Sequence, residues 1–465
     1  MTRDFGWDSE GRFRTPSGDV CPPDVPAAEG VLLDLSQSGP ASHLDLVEVP
    51  DKKMLVDVVR FMFLELPRMG DPLATPLLSA FGFVPVVAGW LREKTKYGIH
   101  VHGPSGTLKS VVCRALQALY GPDFSTEPLM SWTGTPYSLQ SSGHGFKDAL
   151  AVVDDYKVST FQNPQAIQAV IQNYADGAAR SRLDRASKLL PTVPFRGWLV
   201  SNGEDPLDGS ASSTARILPL QWNPVKCGQQ LVDRLRSFQK RFSGFTREFV
   251  GYLQELGIEK VRDVVDQFSR RGILGGSANG PRLAEALALN RASFVLASRC
   301  AHERLGALDS AELEELKSLY SRCEESWCHS LELRVGELEP GALFLHLLRD
   351  CIASTPGLVL RGNDTGRDSI GFVKGDALCL FWEKAFAAVR DLAGKSGNPF
   401  PLSGTAVLAD LDRTRNIKRG RRDRIRTQVR RGGLRVQVVR IPVSVVGLSP
   451  DNSLDTEDDD EEGAE

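Results

Sequence analysis

The chain has 465 residues, with 56 Lys and Arg against 59 Asp and Glu, and 41% of its residues are hydrophobic. That length predicts two or three domains, and the composition is that of a soluble globular chain, with charge segregated along it so that the net value of −3 says little about partners. No apolar run approaches the ~20 residues a membrane span needs, no basic segment followed by an apolar one opens the chain, so a cytoplasmic location is expected, and eight cysteines over this length do not make a disulfide framework.

Residues 1–45 are rich in Gly, Pro and Ser and read as a flexible N-terminal arm or a small cap. Residues 46–95 carry apolar helical patterns at 55–66 and 72–91, expected as a helical collar. No clustered carboxylates or histidines of a dedicated active site appear in this part.

The segment 96–225 holds the chemistry. A short β-rich run at 99–102 feeds the turn GPSGTLKS (103–110) and then an amphipathic helix over 111–120. Backbone N–H groups around Gly103, Ser105, Gly106 and Thr107 can face an anion, Lys109 can reach the β- and γ-phosphates, and Ser110 can ligate Mg²⁺. ATP and Mg²⁺ are therefore the expected cofactors. Leu108 stands where the common pattern has glycine, and an ordinary strand–loop–helix joint is the plainer alternative.

A second apolar run, 149–153, ends in Asp154 and Asp155 and reads as a buried parallel strand with carboxylates where open α/β sheets bind ligands. Asp154 is expected to hold Mg²⁺ and Asp155 to prepare the attacking water. A third run, 195–200, ends in Ser201 and Asn202, with Asn202 the better candidate to sense the γ-phosphate. Arg216 follows a small, flexible stretch at 208–215; it is either a salt-bridged surface residue or an arginine finger acting on a neighbouring subunit's nucleotide. Arg180, Arg182 and Arg185 form a basic stretch suited to phosphate contact in a pore or to a solvated loop.

Five phrases in order carry a resemblance. They are GPSGTLKS (103–110), SWTGTPYSLQ (131–140), VVDDY (152–156), YADGAARSR (174–182) and WLVSNGEDP (198–206). Together they resemble the helicase-like ATPase domain of phage and plasmid primase-helicases, near the superfamily 3 helicases of the AAA+ class. The resemblance implies a P-loop NTPase core, a hexameric ring, Trp132 and Thr135 shaping the site, and Arg180 and Arg182 in the segment pushed against single-stranded DNA. Asp155 departs from the glutamate usual at that position and puts the hydrolysis rate in question.

Residues 226–335 read as a helical lid or bundle, within which the glycine-rich 272–280 is expected as a hinge or linker before the helices at 281–305 and 310–327. Cys323 and Cys328-His329 lack the further ligands a metal site would need. Residues 340–447 read as a winged-helix-like α+β module: helices at 342–352, 376–392 and 402–413, the last capped by Ser403, and strands at 357–362, 369–375 and 435–446. Between its last helix and last strand, 413–435 is dense in arginine; Arg419, Arg421, Arg422, Arg424, Arg426, Arg430 and Arg431 are the expected DNA contacts. No aromatic is interleaved, so backbone contact fits better than base stacking. A basic solvent face or a subunit interface would account for the same pattern. Residues 448–465 form an acidic tail expected to be disordered, solvating, or folded back on the arginines.

The fold class expected is therefore α/β: an AAA+/P-loop NTPase core with helical collar and lid, plus a C-terminal winged-helix-like α+β domain. The expected function is an ATP-dependent DNA helicase or translocase in replication of a phage, plasmid or mobile element. Its expected partners are single-stranded or forked DNA, copies of itself, and a separate primase or replication initiator. Two alternatives stand beside it: a slowly hydrolysing switch that anchors or loads a partner on DNA, and a non-enzymatic DNA-binding protein on a decayed ATPase core.

Overall fold

The computed structural model describes residues 4–26, 33–36, 38–93, 95–161, 164–177, 182–183, 189–190, 193–207, 215–269, 280–362, 364, 366, 368–395, 403–420 and 423–451. The loop 208–214, most of the glycine-rich linker and the acidic tail lie outside them. The chain divides into two compact units, residues 1–333 and 334–465.

The first unit opens on a hairpin, β1 (Gly6–Trp7) and β2 (Phe13–Arg14). Composition suggests a loose arm or a small cap; within the segment 4–26, Phe5, Trp7 and Phe13 are buried. The Trp7 ring lies 4.4 Å from Trp90, and its Nε1 donates to the Val86 carbonyl at 2.8 Å. Next comes α1 (Lys52–Arg60), capped by the Asp51 carboxylate, which accepts from the N–H groups of Lys53 and Met54. It loosens into a π turn at Phe61–Glu65, where a single longer helix was expected. The pattern at 72–91 likewise forms two helices, α2 (Ala74–Phe81) and α3 (Val84–Leu91), because the chain turns at Gly82 and Phe83. By length and apolar composition Ala74–Leu91 is a candidate membrane span, against expectation, but 83% of it is buried in the unit's core.

The centre is a five-stranded parallel sheet. Its strands are β3 (Gly98–His102), β4 (Met130–Ser131), β5 (Leu150–Tyr156), β8 (Trp198–Gly203) and β9 (Ile217–Gln221), in the order β4-β5-β8-β3-β9. Ile99 pairs with Val200 on one side and Leu218 on the other, and all three are fully buried. Burial on both faces explains why these strands read as unbroken apolar runs. Helices α4 (Lys109–Gln117), α5 (Pro136–His144) and α6 (Pro164–Ala175) connect them. A short antiparallel pair, β6 (Arg182–Leu183) and β7 (Leu189–Leu190), precedes β8.

Five helices follow: α7 (Gln229–Phe238), α8 (Phe242–Leu256), α9 (Ile258–Ser269), α10 (Gly280–Arg299) and α11 (Ser310–Leu338). They share a core with α2 and α3. Phe83 meets Phe245 and Phe249 of α8 at 5.6 and 5.8 Å, and the buried Asn290 amide of α10 donates to the Leu77 carbonyl and the Tyr320 hydroxyl.

The second unit contains α12 (Pro340–Ser354), β10 (Val359–Leu360), β11 (Gly371–Lys374), β12 (Ala377–Leu380), α13 (Trp382–Lys395), α14 (Gly404–Arg413), β13 (Arg426–Arg431) and β14 (Leu434–Pro442). The sheet order is β10-β11-β12-β14-β13. One core joins Phe344, Leu348, Trp382, Val389, Leu411, Val439 and Ile441. Ser403 caps α14 as expected, its Oγ accepting from the Ala406 N–H at 3.2 Å. One expectation changes. Residues 377–380 form a buried strand, not the start of a helix, because Gly375 turns the chain at φ 57° and Ala377, Leu378, Cys379 and Leu380 pair with β11 and β14. The end of the arginine-rich segment is β13, half of a hairpin closed by Gly432 and Gly433.

Candidate functional site

Lys109 begins α4 directly after the turn that leaves β3. The turn is fixed from behind by Trp222, the first residue beyond β9. The buried indole donates through Nε1 to the Thr107 carbonyl at 3.0 Å, and a Cβ placed on Gly103 would stand 2.2 Å from the Trp222 carbonyl oxygen. Gly106 takes φ 73° with open space around it. Thr107 Oγ1 donates to the Pro104 carbonyl at 2.8 Å, and Ser105 lies exposed on the loop.

Leu108 adopts φ 66°, the left-handed conformation for which glycine stands at this place in the common pattern. A branched residue pays about 1–2 kcal/mol for it. In Leu108→Gly that relief is offset by the added freedom of the unfolded chain, so stability should change by less than about 1 kcal/mol. Leu108→Val, β-branched in the same conformation, should lose about 1–2 kcal/mol. Urea denaturation of both variants checks this.

Lys109 Nζ donates to the carbonyls of Gly103 at 2.9 Å and Pro104 at 2.6 Å, and burial lowers the pKa of its ammonium. Across the cavity, the Asn202 amide nitrogen donates to Ser110 Oγ at 2.9 Å and to Asp154 Oδ1 at 2.5 Å. The carboxylate can only accept, which fixes the orientation of the amide. One nitrogen thus gathers the two oxygens expected to hold a divalent cation. Asn202 Oδ1 is buried with no partner among the described residues. Two hard oxygens and a spare acceptor beside a lysine suit Mg²⁺ and polyphosphate.

Asp155 lies where the pairing of β5 with β8 slips, between Val153 and Tyr156. It takes φ 64°, and its N–H donates to Asp154 Oδ1 at 2.9 Å. Aspartate tolerates this backbone better than longer side chains do, a physical reason for aspartate rather than glutamate here. Burial, then the charges of Asp154 and Glu204, raise its pKa above the ordinary 3.8. The cavity measures about 530 Å³ and is lined by the loop, Asp154, Asp155, Asn202, Thr133, Lys157 and Glu204.

Beneath it lies a polar network that no motif announced. Trp132 Nε1 donates to Ser201 Oγ at 2.9 Å, and His100 contacts Ser201 Oγ at 2.8 Å and the Asp205 carbonyl at 2.9 Å. The carbonyl only accepts, so His100 carries its proton on Nε2, and Nδ1 is left to accept from Ser201. Ser201, the second choice for the strand tip, therefore faces this network. Trp132 supports the site from below through that bond. Thr135 caps α5, its Oγ1 accepting from the Ser138 N–H at 3.1 Å.

Arg216 lies apart from the other candidates. It immediately precedes β9, its carbonyl accepting from the Gly98 N–H at the end of β3 opposite the loop, and it pairs with Asp176 at 3.0 Å. Arg182 is on β6, while Arg180 and Arg185 lie outside the described residues. In the second unit, Arg421 and Arg422 also lie outside them. Arg419 is held by Asp412 and Asp423, and Arg426 by Glu383 at 3.0 Å. Arg431 stacks 4.3 Å over Phe372 and donates to the Asp364 carbonyl at 2.8 Å. Arg424 and Arg430 are exposed.

A parallel sheet in this order, with a phosphate-type loop after its fourth strand in space and carboxylates ending the second, fits a P-loop, helicase-like fold. The solved structure described as SCCmec type IV Cch, active helicase, shares it with a TM-score of 0.64 over 95% of this chain and 80% of that one, at 14% identity. Weaker superpositions are the apo NrS-1 C-terminal region (TM-score 0.30, 10% identity, 90% of this chain and 83% of that) and the JCV helicase (0.22, 11%, 61% and 72%). No family model and no curated protein matches the sequence. The likeness is one of fold.

Proposed function

We propose that the chain is an ATP-dependent DNA translocase or helicase serving replication of a phage, plasmid or mobile element. The observation that carries this reading is the convergence of Lys109, Ser110, Asp154 and Asn202 on one cavity at the loop edge of the parallel sheet. In it Lys109 and the loop N–H groups bind phosphate, Ser110 and Asp154 hold Mg²⁺, Asp155 prepares water and Asn202 senses the γ-phosphate. Mg²⁺ would neutralise charge on the transferred phosphoryl group.

On this reading the protein works as a hexameric ring. Arg216 leaves Asp176 to act on the neighbouring subunit's nucleotide, 46–95 is the collar, and 226–335 is the lid. The second unit is a winged-helix-like DNA module whose β13–β14 hairpin is the wing, and a separate primase or initiator is the partner. Steady-state ATP hydrolysis by the full chain, with and without single-stranded DNA, tests it. Turnover stimulated by DNA is expected. Tight ATP binding without turnover in either condition would replace the motor with the switch, which the left-handed backbones of Leu108 and Asp155 favour.

The pH dependence of kcat/KM reports the free enzyme. A water-preparing Asp155 acts as the carboxylate, so kcat/KM should rise with pH through its raised pKa, placing the acid limb above 3.8. Asp155→Asn should remove that limb along with most of the activity.

A further inference from the structure

The β13–β14 hairpin has two unlike faces. Residues directly opposite share a face. The pairs Thr427–Val438 and Val429–Val436 lie on the face away from the helices, where Val429 and Val438 pack in a small cluster with Phe372 and Cys379. The other face packs Val439 and Ile441 against the helices deeper in the sheet and, toward the turn, carries two successive rows, Gln428 opposite Gln437 and Arg430 opposite Arg435, all four exposed. Among the described residues none of these four side chains has an ion pair or a hydrogen bond. Arg431, on the Val429 face, is spent on Phe372, and Arg426, one row beyond the glutamines, on Glu383.

Two arginines directly opposite each other repel and weaken a hairpin unless something anionic meets them. The turn that sets their register is a two-residue one: Gly432 and Gly433 both take positive φ, 56° and 76°, the geometry that best matches strand twist. Phosphate alone would satisfy the arginines, but it has no use for the glutamine row. A glutamine amide offers a donor and an acceptor side by side, the pair that adenine N7 and N6 presents in the major groove, as guanine O6 and N7 suit arginine. A two-stranded ribbon fits that groove, about 12 Å wide. Rows two residues apart lie roughly 6.8 Å apart along a strand, close to two base-pair rises of about 3.4 Å.

We propose that the turn end of the β13–β14 hairpin enters the major groove of duplex DNA and reads bases through the exposed rows of Gln428, Gln437, Arg430 and Arg435. The chain then prefers particular duplex sequences. This rests on the reading of the second unit as a DNA module, and goes beyond the backbone contact expected from arginine density. The experiment is selection by the full chain from a randomised duplex pool. Binding of the enriched and a scrambled duplex is then compared, for the wild type and for the double variant Gln428→Ala with Gln437→Ala.

The proposal expects an enriched motif whose discrimination falls about tenfold or more in the double variant, with scrambled-duplex affinity and salt dependence unchanged. Both substitutions are exposed and neutral, and an unchanged melting temperature confirms folding. Duplex binding without any enriched motif, a motif indifferent to both glutamines, or preference for single strands over every duplex would overturn base reading while leaving DNA binding intact. Failure to bind any duplex or single strand at low salt would overturn the DNA module itself.

Discussion

Lys109→Ala should lower ATP turnover by about 100- to 1,000-fold, the cost of removing one preorganised donor from a developing phosphate charge. The ammonium is already aimed: the Gly103 and Pro104 carbonyls hold Nζ over the loop, and burial weakens its hold on the proton, so it gains by meeting an anion. Its removal should cost the fold only about 1 kcal/mol, the net value of ordinary hydrogen bonds, because the loop faces an open cavity. Turnover and urea denaturation measured on one preparation separate lost chemistry from lost folding. Wild-type turnover in a folded Lys109→Ala protein would remove this cavity from the mechanism.

The residues that meet at the cavity were legible for a definite reason. Strands buried on both faces appear as short apolar runs, and the polar residue that ends each run falls at the same edge of the sheet. Lys109 and Ser110, Asp154 and Asn202 come from three such runs, and Asn202 joins them by hydrogen bonds to Ser110 and Asp154. The backbone state of Leu108 and Asp155 was not legible, since nothing in a residue name reports a positive φ. Asp155 owes its conformation to a slip in strand pairing that only the assembled sheet defines.

Elsewhere local patterns misled. The run 377–380 is too short to tell strand from helix by periodicity, and its pairing with β11 and β14 decides the matter. In β13 the alternation of Thr427 and Val429 with exposed residues is a strand signal hidden among arginines. The N-terminal segment looked loose by its glycines and prolines, but three buried aromatics decide its packing.

Trp222 is the largest omission, and the substitution with the greatest structural cost. No motif marks it, since it simply follows the apolar run of β9. It is nevertheless fully buried, leaves no room for a side chain at Gly70 and carries the loop through its bond to the Thr107 carbonyl. Trp222→Ala should destabilise the first unit by about 3–5 kcal/mol, as large buried aromatics do, and turnover should fall with the folded fraction. Trp222→Phe keeps most of the packing and removes the Nε1 donor, so about 1 kcal/mol should be lost. Its turnover should fall well beyond what that loss explains, because a small displacement of the loop misplaces the phosphates. Urea denaturation and ATP hydrolysis of the two variants distinguish these effects. A Trp222→Phe protein with wild-type turnover would show that packing alone, without the indole hydrogen bond, holds the phosphate loop in place.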